Sequence, residues 1–411
     1  MRPASLFVVS LAATSLAAQP PRDGTTLRVG RPATTEVVWP ARPEVARVRY
    51  LGGLRSEADV GKKAGGASFL RQALTGAKGS LISVTRPHDV WVDSRQRMYV
   101  ADAGRRKLLR FDPATRSAIE LGGEGSGQLS KPMGIAGTPD DMVYVADQSA
   151  KRVVAFDAKG VFVQAYGGSD VLLNPVDVAV DVVANRVYVA DSYLHQVVVF
   201  DRSTARLVQR LGKADAALAT AKEANSLPPR AHGDPPPPRA PWDTAGATIM
   251  GHPGGYSPQP RDVVENRGGK AAEFRFPSFV AVGPDGTVAV SDALNFRVQL
   301  FDRRGGFLRT VGVQGDGPGQ FARPKGVAVD SEGRIHVADA AFSNVQVFDG
   351  RGRLLVAYGS IGNGDGQLWM PEGLSIDGEG RVYVSDRFNN RVQVYHVLPS
   401  RAAVASEGES R

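Results

Sequence analysis

The chain contains no cysteine. That single absence removes disulfides, thiol nucleophiles, thiolate-held zinc or iron–sulfur clusters and Cys-linked lipid anchors. No apolar run reaches the roughly 18 residues that a membrane-spanning helix needs, so the mature chain is expected to have no transmembrane segment. The longest run, LFVVSLAATSL, follows Met1-Arg2 and ends in small residues before Gln19-Pro20. This is the pattern of a secretory signal peptide over residues 1–18, which predicts a secreted or periplasmic protein. No G-x-S-x-G, no H-E-x-x-H and no Gly loop leading into a helix occurs, which leaves no motif for a serine hydrolase, a zincin or a phosphate cradle.

Uniform charge is also missing. The net charge is +8, but residues 22–86 hold twelve Lys/Arg against five Asp/Glu. From Pro87 onward, 37 basic and 37 acidic residues cancel. A pI near 9.7 therefore does not imply a basic binding face, and the main body argues against nucleic acid as the partner.

What is present is a repeat. MYVAD, VYVAD, VYVAD, VAVSD, IHVAD and VYVSD end at Asp102, Asp147, Asp191, Asp292, Asp339 and Asp386, at spacings of 45, 44, 101, 47 and 47. Around each lies a Pro-initiated apolar run such as PVDVAVD, then the Asp-ending run, then one like RVQLFD, then one ending near Gly. Four short apolar segments per period, with Gly-rich turns, predict a four-stranded antiparallel blade that buries its faces only when stacked in a ring. The fold class is thus all-β, a six-bladed β-propeller. The last unit lacks its fourth segment, and ARVRYLGGL at 46–54 supplies one. This N-terminal strand is expected to close the ring and hide a sheet edge. The repeated Asp residues read as structural, each accepting backbone N–H groups in the loop that follows it.

These motifs resemble the NHL-repeat family of six-bladed propellers, through P-x-G-[IV]-A-V-D, V-[AS]-D and N-x-R-[IV]-Q-[VL]-F-D, nearly complete in the last three units. The resemblance covers about Arg86–Leu398 plus the closing strand. Blades are expected at about 87–130, 131–173, 174–213, 274–322, 323–369 and 370–398, the last completed by 46–54. Residues 19–86 form the N-terminal segment and 399–411 a polar tail. Residues 214–273 hold ten Pro and seven Gly and read as a Pro/Gly-rich insertion rather than a seventh blade. A short helix is expected at 67–75.

The residue after each blade-opening Pro is His88, Met133, Val176, Ser278, Lys325 or Glu372, and these should ring the channel mouth. Asp89 and Asp177 stand where the family pattern has Gly. Tyr193 and His195 follow Asp191. The expected binding face is therefore His88, Asp89, Asp177, Tyr193, His195, Lys325 and Glu372. His232 and His252 fall in the insertion, while His336 and His396 read as structural. The expected function is a monomeric binding or scaffold module for a protein, peptide or glycan, without a cofactor. The alternative is a metal-dependent lyase or hydrolase at the channel mouth, similar in architecture to peptidylamidoglycolate lyase, with zinc or calcium and with His88 and His195 as ligands. The resemblance also implies RNA binding, because some family propellers bind RNA, and the charge-neutral body argues against it.

Overall fold

Each period becomes one antiparallel sheet in the computed structural model, which describes residues 30–34, 36–41, 44–61, 81–212 and 269–398. The signal peptide, the 67–75 helix, His232, His252, the polar tail and most of the insertion lie outside the described residues. Blade 1 runs Pro87–Val92, Met98–Asp102, Lys107–Asp112, Ser117–Leu121, each strand paired with the next. Blades 2 to 5 repeat this order from inner strands Pro132–Gly137, Pro175–Asp181, Pro277–Val282 and Pro324–Val329. Blade 6 has three strands of its own, Pro371–Ile376, Arg381–Asp386 and Arg391–Val397.

The fourth strand of blade 6 is Val48–Leu54, antiparallel to Arg391–Val397, with Leu54 opposite Val392 and Val48 opposite Val397. The closure expected from residues 46–54 is present. Gly53 permits the close approach: a Cβ there would stand 2.8 Å from the Val392 carbonyl oxygen. Two-residue strands Arg31–Pro32 and Val38–Trp39 pair with the closing strand in turn. Trp39 packs against Tyr358 and Tyr395, at ring distances of 6.0 and 5.8 Å.

The core is divided among the blade interfaces, as a ring of half-buried sheets requires. Tyr144, Val153 and Tyr166 of blade 2 cluster with Val178, Val189 and Phe200 of blade 3. The interface that closes the ring joins Leu54, Tyr383, Val392 and Val394 to Val90, Leu109 and Phe111 of blade 1. The second strands, such as Met98–Asp102 and Val143–Asp147, are buried along their whole length, whereas outer strands such as Leu207–Leu211 and Phe307–Val311 are largely exposed. Among the described residues no helix is long and apolar enough to cross a membrane.

Candidate functional site at the channel mouth

The meander fixes two unlike faces. The linkers that enter the inner strands and the bends that follow the second strands emerge on one face. The bends after the inner and third strands emerge on the other. On the first face every inner strand starts with a bulge, a shift in register directly after its Pro, as at Pro87/Asp89 and Pro371/Leu374. A bulge leaves its residue out of the ladder and re-aims the side chain. This is why His88, Lys325 and Glu372 turn to the channel.

Glu372 is the centre of the site, 1% exposed. Its Oε1 accepts from Arg387, Lys325 Nζ stands 3.4 Å from Oε2, and His88 Nε2 stands 3.9 Å from Oε2. His88, from blade 1, stacks on Phe279 of blade 4, with centroids 5.3 Å apart and planes 14° from parallel. Burial alone would raise the Glu372 carboxyl, but Lys325, His88 and Arg387 pull it down to about 2. Burial pushes His88 down to about 4 against the pull of Glu372, and burial also lowers the Lys325 amine. At neutral pH Glu372 is therefore a carboxylate and His88 a neutral imidazole. Glu372 Oε2, His88 Nδ1 and Ser278 Oγ are buried atoms with no hydrogen-bond partner in the protein.

The depressed His88 pKa has a measurable sign. A base that folds neutral contributes stability present above its unfolded value of 6.5 and lost as pH falls towards 4. His88→Phe keeps the stack on Phe279 and removes the titration. Its melting temperature relative to the native chain is expected to rise between pH 6.5 and pH 4.5. A constant difference across that range would show that His88 does not fold neutral.

Asp89 and Asp177 lie beneath the mouth and clasp blades together. Asp89 accepts from the Val90 N–H (2.9 Å) and from the Ile135 N–H of blade 2 (2.8 Å). Its Oδ1 occupies the space that Gly373 of blade 6 leaves open, since a Cβ on Gly373 would come within 2.0 Å of it. Asp177 repeats this with Val280 of blade 4 (2.8 Å) and Gly134 of blade 2, at 1.9 Å. Burial raises Asp89 to about 8, and burial together with the Asp89 charge raises Asp177 well above the carboxylate range. The sequence shows the departures from Gly, but not the glycines of the neighbouring blades that receive the side chains.

The repeated Asp residues support the rim of the mouth. Sequence reading placed them in reach of the following loop alone. In the fold each also accepts from the linker before its own blade. Asp102 takes the N–H groups of Thr85 and Arg86, and those of Gly104 and Arg105. Asp147 takes Ser130 and Lys131, Asp292 takes Arg275, Asp339 takes Ala322 and Arg323, and Asp386 takes Trp369. The residues so fixed carry the rim. The fourth residue of each bend after the repeated Asp adopts a left-handed backbone, φ 52–57°, among them Arg106, Lys151 and His195.

This topology separates charges that cancel in the sequence. The mouth face gathers Arg86, Lys131, Arg275 and Arg323 before the blade-opening prolines and Arg106, Lys151 and Arg387 in the bends. Among the described residues no carboxylate forms an ion pair with Arg86, Lys131, Arg275 or Arg323. On the opposite face the two signs pair locally, Asp330 with Arg334 at 2.6 Å and Asp377 with Arg381 at 2.7 Å. Among the described residues the inner ends of the mouth-face linkers therefore carry unpaired cations, while Glu124, Asp170, Asp316 and Asp365 lie farther back in the same linkers. Sequence reasoning missed this ring. The signal was available in the residue before the blade-opening proline of blades 1, 2 and 5, and one position earlier in blade 4.

Exposed aromatics stand on the same face. Trp369 (42% exposed) and Phe388 (49%) lie 5.7 Å apart on blade 6. Tyr193 (55%) and Phe276 (37%) lie 6.3 Å apart, edge to face, where blade 3 meets blade 4. His195 packs edge-on against Phe276 at 4.7 Å, and its Nδ1 accepts the Phe276 N–H at 3.0 Å. His88 and His195 thus have separate partners, Phe279 with Glu372 for the first and Phe276 for the second. Among the described residues no three His, Asp or Glu side chains form a group that could hold a metal ion.

The NHL repeat model matches residues 172–200 and 368–395, which begin in the linkers just before blades 3 and 6. No curated protein sequence matches the chain. Among solved structures, an auxiliary nutrient binding protein from Bacteroides ovatus is similar over 76% of this chain and 69% of its own, at 11% identity and TM-score 0.51. Another such protein, from Bacteroides thetaiotaomicron, is similar over 77% and 71%, at 11% identity and TM-score 0.51. A virginiamycin B lyase from Staphylococcus aureus aligns over 76% and 95%, at 10% identity and TM-score 0.46, too slight a likeness to argue from. At these identities the likeness is one of fold.

Proposed function

We propose that this chain, an NHL-repeat six-bladed β-propeller, is a binding module whose ligand seats in the mouth of the central channel. One observation carries the reading. Polar atoms of three different blades, Glu372 Oε2, His88 Nδ1 and Ser278 Oγ, lie buried at the mouth without a well-formed hydrogen bond among the described residues, the Lys325 ammonium standing 3.4 Å from the first. An unsatisfied buried polar group costs about 1–3 kcal/mol, so a fold that keeps three in one place is arranged for a molecule that completes them. Lys325 and Arg387 hold Glu372 ionised and in place. The stacked His88–Phe279 pair lies beside them. Proteins with this fold include nutrient-binding ones, which is consistent with a binding role. The reading extends to export and to a protein, peptide or glycan as the partner.

The test is saturation-transfer NMR with a fragment mixture of hydroxylated and carboxylate-bearing compounds. Fragments that bind the native chain are expected to be lost together in Lys325→Ala and in Glu372→Gln, both checked for an unchanged unfolding profile. Retention of the same fragments by both folded variants would place the ligand elsewhere.

A further inference from the structure

We propose that the mouth recognises an acidic carbohydrate, a short chain of hydroxyl-rich sugar units that carry carboxylates. The proposal rests on the reading of the mouth as the binding site and names its ligand class. Three independent features converge on it.

The first is charge. Arg86, Lys131, Arg275 and Arg323 belong to four different blades, and no carboxylate pairs with them among the described residues. Single cations spread around a ring match single anions spaced along a chain, not one clustered phosphate. Arg and Lys bond carboxylates strongly in such settings.

The second is Glu372. It is held as a carboxylate, and beyond the Lys325 ammonium 3.4 Å away its Oε2 has no further donor among the described residues. A ligand that only accepts hydrogen bonds would bring no further donor to that oxygen. Sugar hydroxyls donate as well as accept, so one group suits Glu372 Oε2, and its neighbours suit His88 Nδ1 and Ser278 Oγ.

The third is the pair of aromatic clusters, Trp369 with Phe388 and Tyr193 with Phe276, which stand exposed on the same face. Exposed aromatic rings of this kind cover the apolar face of a sugar while its hydroxyls stay wet.

Competing polymers fit less well. Peptides that bind by strand addition need an open sheet edge, and in these blades the outer strands lie farthest from the channel. A single-stranded nucleic acid would use the cations and the aromatics, but its phosphates are acceptors alone and bring Glu372 no donor.

The experiment is isothermal titration calorimetry on the full chain with four probes: trigalacturonic acid, neutral galactotriose, hexaglutamate and a uridine hexanucleotide. Trigalacturonic acid is expected to bind most tightly. Its affinity is expected to fall about tenfold or more when Arg86 and Arg323 are both changed to Ala, and to weaken as salt is raised. Trp369→Ala is expected to weaken acidic and neutral sugars alike. Equal binding of the neutral sugar, or tighter binding of hexaglutamate or of the nucleotide, overturns the ligand class. So does absence of binding by trigalacturonic acid. If the NMR fragments still depend on Lys325 and Glu372 in that case, the mouth remains the binding site and only the acidic sugar is excluded. If trigalacturonic acid binds but neither the arginine pair nor Glu372→Gln changes its affinity, the site itself is misplaced.

Discussion

Changing Asp386 to Ala is expected to lower the free energy of unfolding by about 3–5 kcal/mol, the usual result of removing one partner from a buried ion pair. The carboxylate is fully buried. It accepts from the Trp369 N–H at 2.7 Å, from Asn389 and Gln393 side chains at 2.8 Å each, and from Arg391 Nε at 2.7 Å. Its removal strands the Arg391 guanidinium, itself 4% exposed, and releases the linker that holds Trp369. Asp386→Asn keeps the shape and loses the charge, so it is expected to fall between the two. Urea unfolding of the three chains measures the differences. A loss of under about 1 kcal/mol in the Ala variant would mean that the linker finds other acceptors. The repeated Asp of blades 1, 2, 3 and 5 bonds backbone N–H groups and no Arg side chain, so the same change there is expected to cost less.

The second large effect is expected from the closing strand. A chain that begins at residue 56 loses Val48, Tyr50, Leu51 and Leu54, all buried, and exposes the edge of Arg391–Val397. Burial of each such side chain contributes about 1.5–3 kcal/mol, so the four together are comparable to the roughly 5–15 kcal/mol that holds a typical domain. The shortened chain is expected to unfold at a much lower temperature or to associate through the open edge. Leu54→Ala gives a graded version, with about 2–5 kcal/mol lost. Calorimetry with size-exclusion chromatography reads both outcomes. A shortened chain that stays monomeric and melts at the native temperature would show that three strands complete the last blade.

The fold was legible because its signal is periodic and local. Six Asp-ending strands in phase, each with a Pro-opened partner before it, name the blade and its strand order, and the missing fourth segment points to ARVRYLGGL as the closure. The site was legible only in part. The position after each proline identified His88, Lys325 and Glu372, because one bulge recurs at the same place in every blade. What the period could not convey is contact between blades: Asp89 against Gly373, Asp177 against Gly134, His88 against Phe279 across the channel. Those pairs are set by the ring and not by spacing along the chain. The ring at the mouth escaped for a related reason. Its cations are diluted in any running sum by the ion-paired turns of the opposite face, and only the up-and-down path of the strands sorts one from the other. His195 with Phe276 is a contact across the whole 214–273 segment, which no local pattern spans.

The pairing of Val48–Leu54 with Arg391–Val397 also orders events during synthesis. The strand that completes the last blade is made first, and its partner is made last. Every blade between them can form its own hairpins as it emerges, but the ring cannot shut until residue 397 has been made. Until then the growing chain carries one finished strand in search of a neighbour and one sheet with a bare side. Pairing of such distant segments is slow, because a long loop must close before any contact repays it. The interval before closure is the time in which this chain is most open to joining another copy of itself.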